Sequence, residues 1–119
     1  MPHILIVDDG SPMTSWLIEA LMEERYKVEV ALDYKDTLTL YDRFRHDLIV
    51  ADVGATERRD MVTGLLQQYR DALVLALVGD ESVEYNSALD AAITFGSVRI
   101  LRKPFSSSFF VQAVKEQLS

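Results

Sequence analysis

The chain has 119 residues, 49% of them hydrophobic and 26% charged, which is the length and composition of one folded globular domain rather than of a disordered segment. Twelve basic residues against 19 acidic ones give a formal charge of −7, which excludes nucleic-acid binding through a general basic surface. The lack of cysteine excludes a disulfide framework, a thiolate zinc site and a catalytic thiol, and two histidines, His3 and His46, are too few for a histidine-rich metal site. The apolar runs are far shorter than the roughly 20 residues that span a bilayer, and no basic-then-apolar leader precedes the first apolar stretch. The expectation is a soluble, acidic, cytoplasmic domain with no membrane association.

The first apolar run, Ile4-Leu5-Ile6-Val7, is stopped by Asp8-Asp9-Gly10. Ser11 and Pro12 read as an N-cap and a first helical residue, and Met13, Trp16, Leu17, Ala20 and Leu21 then recur at helical spacing. Trp16 falls on the core side of that helix. Residues 26–30 alternate apolar and polar, as an edge strand does. Asp33 is placed to cap a second helix carrying Leu38, Tyr41 and Phe44, and residues 47–51 form a third strand that ends at Asp52. A polar loop through Gly54 leads to a helix with Met61, Leu65, Leu66 and Tyr69 on one face. Residues 73–78 are a fourth strand closed by Gly79, and a further helix is expected over 83–95 with Gly96 as its C-cap. A fifth strand over 98–101 precedes Lys103-Pro104-Phe105, and a last helix carries Phe110, Val114 and Leu118.

Three of these strands are almost continuous Ile, Leu, Val and Ala, the pattern of strands covered on both faces. Strands alternating with helices then imply a parallel, doubly wound α/β sheet, whose ligand sites lie at the carboxyl ends of the strands. Asp8 and Asp9 follow the first strand, Asp52 the third and Lys103 the fifth. Any one of them alone reads as a helix cap; together at one sheet edge they read as a site. Crowded carboxylates need a cation to stay ionised. An all-oxygen donor set suits Mg²⁺, and the lysine ammonium can hold a phosphate. The combination points to phosphoryl transfer onto a carboxylate nucleophile.

Residues 4–9, residues 47–52, and Gly96 ahead of Lys103-Pro104-Phe105 give the chain its family likeness. Over essentially all 119 residues the chain resembles the receiver domain of two-component response regulators, the family that includes single-domain chemotaxis regulators. The resemblance implies one receiver domain over 1–119 with a flavodoxin-like (βα)5 fold and strand order 2-1-3-4-5. It implies Asp52 as the phosphoacceptor, served by a histidine kinase or phosphotransfer protein. Asp8, Asp9, Asp52 and the backbone carbonyl of Gly54 would share a Mg²⁺ ion, Lys103 would pair with the phosphoryl oxygens, and the peptide bond before Pro104 is a cis candidate. A signalling module of this kind is no turnover enzyme, since its chemistry is its own phosphorylation and dephosphorylation.

The departures from the family pattern fall in the switch. Val78 stands where the family has Thr or Ser and supplies no hydroxyl, and Ile100 stands where it has Tyr or Phe and supplies no ring. The alternative is therefore a phosphorylation-independent receiver acting as a constitutive protein-interaction module. An output domain or partner protein would dock on the face formed by the fourth helix, fifth strand and fifth helix, where Tyr85, Leu89 and Phe109 are candidate contacts. A phosphatase of the haloacid-dehalogenase type also uses Asp, Mg²⁺ and Lys, but the Asp-x-Asp-x-Thr it needs is absent from Asp8-Asp9-Gly10-Ser11-Pro12.

Overall fold

The structure, a computed structural model, describes residues 1–8, 10–53, 56–79 and 97–119, and of 56–59 the backbone alone. The described elements are β1 (His3–Val7), α1 (Met13–Glu23), β2 (Lys27–Ala31), α2 (Tyr34–Phe44), β3 (Leu48–Asp52), α3 (Thr56–Gln68), β4 (Val74–Val78), β5 (Val98–Arg102) and α4 (Ser107–Leu118). The helix expected over 83–95 and its Gly96 cap lie outside the described residues. The five strands form one parallel sheet in the order β2-β1-β3-β4-β5, the flavodoxin-like arrangement that the alternation and the resemblance imply. β2, the alternating strand, is at the edge, and the near-continuous apolar strands are inside.

Side-chain alternation along the strands divides the core in two. Leu5, Val7, Ile49, Ala51, Val74, Ala76 and Val78 face one side and pack with Tyr41 of α2 and Met61, Val62 and Leu65 of α3. Ile4, Ile6, Leu48, Val50, Leu75, Leu77 and Leu101 face the other side, against Leu17 and Leu21 of α1 and Phe110 and Val114 of α4. Among the described residues each face has two helices packed on it, so the middle strands are apolar at every position but His3 and Asp52. Trp16 packs on this second side, with ring centroids 5.6 Å from Phe105 and 6.4 Å from Phe110.

Local signals set the helix ends. Asp33 caps α2, its Oδ1 accepting from the Asp36 backbone N–H at 2.8 Å. Arg45 closes that helix in the left-handed region, with φ 48°. Ser106 caps α4 by accepting from the Phe109 N–H at 3.1 Å. The start of α1 differs from expectation: Pro12, not Ser11, holds the cap position, with φ −61° and ψ −20° and no side-chain cap bond. Proline's fixed φ already suits the helical turn, which lets it sit one place earlier. Among the described residues no helix is long and apolar enough to cross a membrane.

Candidate functional site

At the carboxyl edge of the sheet β1 and β3 run side by side, in register through Ile6 and Val50. Asp8 and Asp52 each lie two residues beyond that pair. Asp52 ends β3, with a side chain only 12% exposed. Two strands away, the Lys103 ammonium crosses to form an ion pair with Asp52 Oδ2. The backbone directs that lysine: its N–H donates to the Val78 carbonyl at 2.7 Å, which holds the chain beside β4 one residue after β5 ends. The next peptide bond, Lys103–Pro104, is cis, and Phe105 then stacks 5.9 Å from Phe110, anchoring the turn on α4.

Asp8 is held from its own loop. Its Oδ1 accepts from the Gly10 N–H at 2.8 Å and from the Thr14 hydroxyl at 3.1 Å, and its backbone N–H donates to the Ala31 carbonyl at 2.8 Å. Gly10 adopts a φ of 77°, in the left-handed region where glycine carries no steric penalty, and this lets the chain turn back over Asp8. Asp52, Thr14, Met13 and the apolar side chains of Ile6, Val50 and Leu77 line a small cavity just beneath the edge.

The edge therefore brings together Asp8, Asp52 and Lys103, while Asp9 and Gly54 lie outside the described residues. Asp8 and Asp52 offer carboxylate oxygens from neighbouring strands, a donor chemistry that fits Mg²⁺ and not a nitrogen- or sulfur-seeking metal. Chemically the edge can present a partly buried carboxylate to an electrophile, with a paired ammonium ready to take up anionic charge.

The two residues at the expected switch positions are both apolar and inward. Val78 is the last residue of β4 and wholly buried, and Ile100 is partly buried in β5 on the same face of the sheet. Of the expected partner contacts, Phe109 is 60% exposed at the start of α4, while Tyr85 and Leu89 lie outside the described residues.

The sequence reading missed a second cluster, at the opposite end of the sheet. His3 opens β1, His46 precedes β3 and Glu29 lies in β2, and the fold sets both imidazoles against one carboxylate oxygen, each Nε2 2.8 Å from Glu29 Oε1. Burial lowers the pKa of His46, an effect that the nearby His3 reinforces and the Glu29 hydrogen bond opposes. Counting histidines could not find this cluster, because its members come from three separate elements. Pairing β1 with β2 and β3 does find it.

No family model matches the sequence, and no curated protein matches it either. Solved structures do. NtrX from Brucella abortus in complex with ADP superposes with a TM-score of 0.81 at 19% identity, covering 98% of this chain and 26% of that one. The chain thus spans about a quarter of the length of that relative. The Vibrio cholerae chemotaxis protein CheY4 has a TM-score of 0.79 at 24% identity, covering 99% of both chains. The beryllofluoride-activated NtrC4 receiver domain dimer has a TM-score of 0.79 at 27% identity, covering 99% of this chain and 97% of that one. The structural neighbours are response-regulator receiver domains over nearly the whole chain, and the chain has their fold.

Proposed function

We propose that this chain is a single receiver domain that accepts a phosphoryl group on Asp52 and signals through the change that follows. The observation that carries the reading is the Asp52–Lys103 ion pair at the carboxyl edge of the sheet, with Asp8 two residues beyond the same β1–β3 pairing. An Asp52 carboxylate oxygen attacks phosphorus of a phosphohistidine donor; the new O–P bond forms as the N–P bond breaks, and the imidazole leaves. Lys103 is paired with that carboxylate beforehand, so its ammonium is in place to turn to the phosphoryl oxygens once they arrive. Asp8, together with Asp9, Asp52 and the Gly54 carbonyl, would hold Mg²⁺, which supplies charge neutralisation to the transferring group. The donor in this reading is a histidine kinase or phosphotransfer protein. The output partner docks on the face that includes β5 and α4, where Phe109 is exposed.

Intact mass after incubation with acetyl phosphate and Mg²⁺ tests the acceptor, beside Asp52→Asn. A single phosphoryl adduct on the parent and none on the variant is expected; an adduct that survives Asp52→Asn moves the acceptor elsewhere. The buried apolar pair Val78 and Ile100 favours a second reading, a constitutive interaction module that ignores phosphorylation. Failure to take up phosphate, or beryllofluoride as its mimic, would install that reading in place of the first.

A further inference from the structure

The amino end of the sheet carries a nitrogen-rich cluster that the acidic edge does not use. The backbone builds it. His3 N–H donates to Asp47 Oδ2 at 2.7 Å, and Asp47 N–H donates to the His3 carbonyl at 2.8 Å, a reciprocal clamp that fixes the start of β1 beside the turn holding His46. The two imidazole centroids are 4.2 Å apart. Phe44, at the end of α2, places its ring 5.9 Å from His3 and 6.0 Å from His46, and Tyr41 stacks on His46 at 6.3 Å. Glu29 reaches the pair from β2, where it is paired with Leu5 in the ladder. The side chain of His46 is fully buried, that of His3 is 15% exposed and that of Glu29 28%, which leaves an approach from solvent along the carboxylate.

Hydrogen bonding accounts for only part of this arrangement. His46 Nε2 has a hydrogen bond with Glu29 Oε1 at 2.8 Å. His3 Nε2 lies at the same 2.8 Å without hydrogen-bond geometry, and among the described residues this buried nitrogen and His46 Nδ1 have no hydrogen-bond partner. A cation seated between the nitrogens and the carboxylate converts these contacts into coordination. One ligand atom from each of His3, Glu29 and His46 lies within 4.8 Å of the others. Tetrahedral ligands at zinc distances sit about 3.3 Å apart, so side-chain tips need move only by fractions of an ångström to about an ångström. Two imidazoles and one carboxylate select a nitrogen-seeking first-row ion over Mg²⁺, and such a trio leaves a fourth position for water.

We propose that His3, His46 and Glu29 form a Zn²⁺ site at the amino end of the sheet, separate from the phosphoacceptor edge. Each imidazole would ligate the ion through an unprotonated Nε2, as the neutral ring whose proton is on Nδ1. The bound ion ties the starts of β1 and β3 to β2.

Isothermal titration of untagged, chelator-stripped protein with Zn²⁺, in excess Mg²⁺ to saturate the acidic edge, tests this. The parent should bind one equivalent. His3→Gln, at a partly exposed position, should weaken binding at least about tenfold, and Asp52→Asn should leave it unchanged. Zinc should also shift the imidazole NMR signals of both histidines in the parent. No saturable binding, binding indifferent to His3→Gln, or binding lost only in Asp52→Asn overturns the site. The last of these outcomes assigns the ion to the acidic edge and leaves the phosphoacceptor proposal standing.

Discussion

On the phosphoacceptor reading, replacing Val78 by threonine isolates the switch hydroxyl that the family resemblance expects there, because the two side chains have nearly the same shape and differ by that hydroxyl. Val78 is fully buried among Val53, Ala76, Val98 and their neighbours, and its carbonyl already accepts the Lys103 N–H at 2.7 Å. In the resting protein the new hydroxyl enters an apolar site, at a cost of roughly 1–3 kcal/mol. At about 4 °C per kcal/mol for a domain of this length, the melting temperature should fall by roughly 4–12 °C. With an acyl-phosphate mimic on Asp52 the hydroxyl gains a charged acceptor, and a hydrogen bond of that kind returns roughly 1.5–3 kcal/mol. Melting curves of parent and Val78→Thr, each with and without Mg²⁺ and beryllofluoride, read the difference directly. The mimic should raise the melting temperature more in the variant than in the parent. An equal penalty in both states would mean that position 78 does not reach the acceptor, and the argument that places the switch there would fail.

Two further outcomes follow from packing and titration. A Cβ on Gly64, inside α3, would stand 2.7 Å from the Tyr34 hydroxyl. Tyr34 is 38% exposed and that hydroxyl is the end of a swinging side chain, so the helix gain of about 1 kcal/mol should leave Gly64→Ala neutral to slightly stabilised in urea unfolding. A loss above about 1 kcal/mol would show that Tyr34 is locked over the glycine. In chelator-treated protein, burial should put the His46 NMR midpoint below 6.5, against the opposing pull of Glu29 and Asp47. A lowered folded pKa means that the unfolded chain binds more protons, so this stability is whole above pH 6.5 and lost as pH falls through the folded value. A midpoint at or above 6.5 would refute the burial argument.

Continuous apolar strands announced a sheet covered on both sides, and the observed core has two faces because β4 buries every position and β1 and β3 all but His3 and Asp52. Asp33 shows why helix ends were partly legible: a short polar side chain before an amphipathic run has a local partner to find. Asp52 and Lys103 stood out because each ends or follows a strand at the carboxyl edge, where a parallel sheet gathers distant residues. His3, Glu29 and His46 escaped notice for the converse reason. They sit at the start of a strand, inside an edge strand and in a turn, positions with no shared local pattern. Only the lateral order of β2, β1 and β3 makes them neighbours.

On the phosphoacceptor reading, Val78 and Ile100 narrow what the signal can be. Neither can form a new hydrogen bond through its side chain or swing a ring inward, so at these two positions nothing recognises the phosphoryl group by shape. Charge remains. Phosphorylation adds roughly −1.5 to −2 at one point, on a chain already at −7. It also competes for Lys103, whose ammonium now belongs to Asp52. Lys103 is one residue past β5, and Phe105, two residues further on, packs tilted against Trp16 of α1 and stacks on Phe110 of α4. A shift of the lysine is therefore felt first by an aromatic cluster joining two helices on one face of the sheet. The Trp16 indole lies 5.6 Å from Phe105, so its fluorescence reports the event without an added label. A change in emission when beryllofluoride binds the parent, lost in Lys103→Ala while the mimic still binds, would assign the first step of the output to this lysine. An unchanged emission on binding would send the signal by a route that leaves the aromatic cluster at rest.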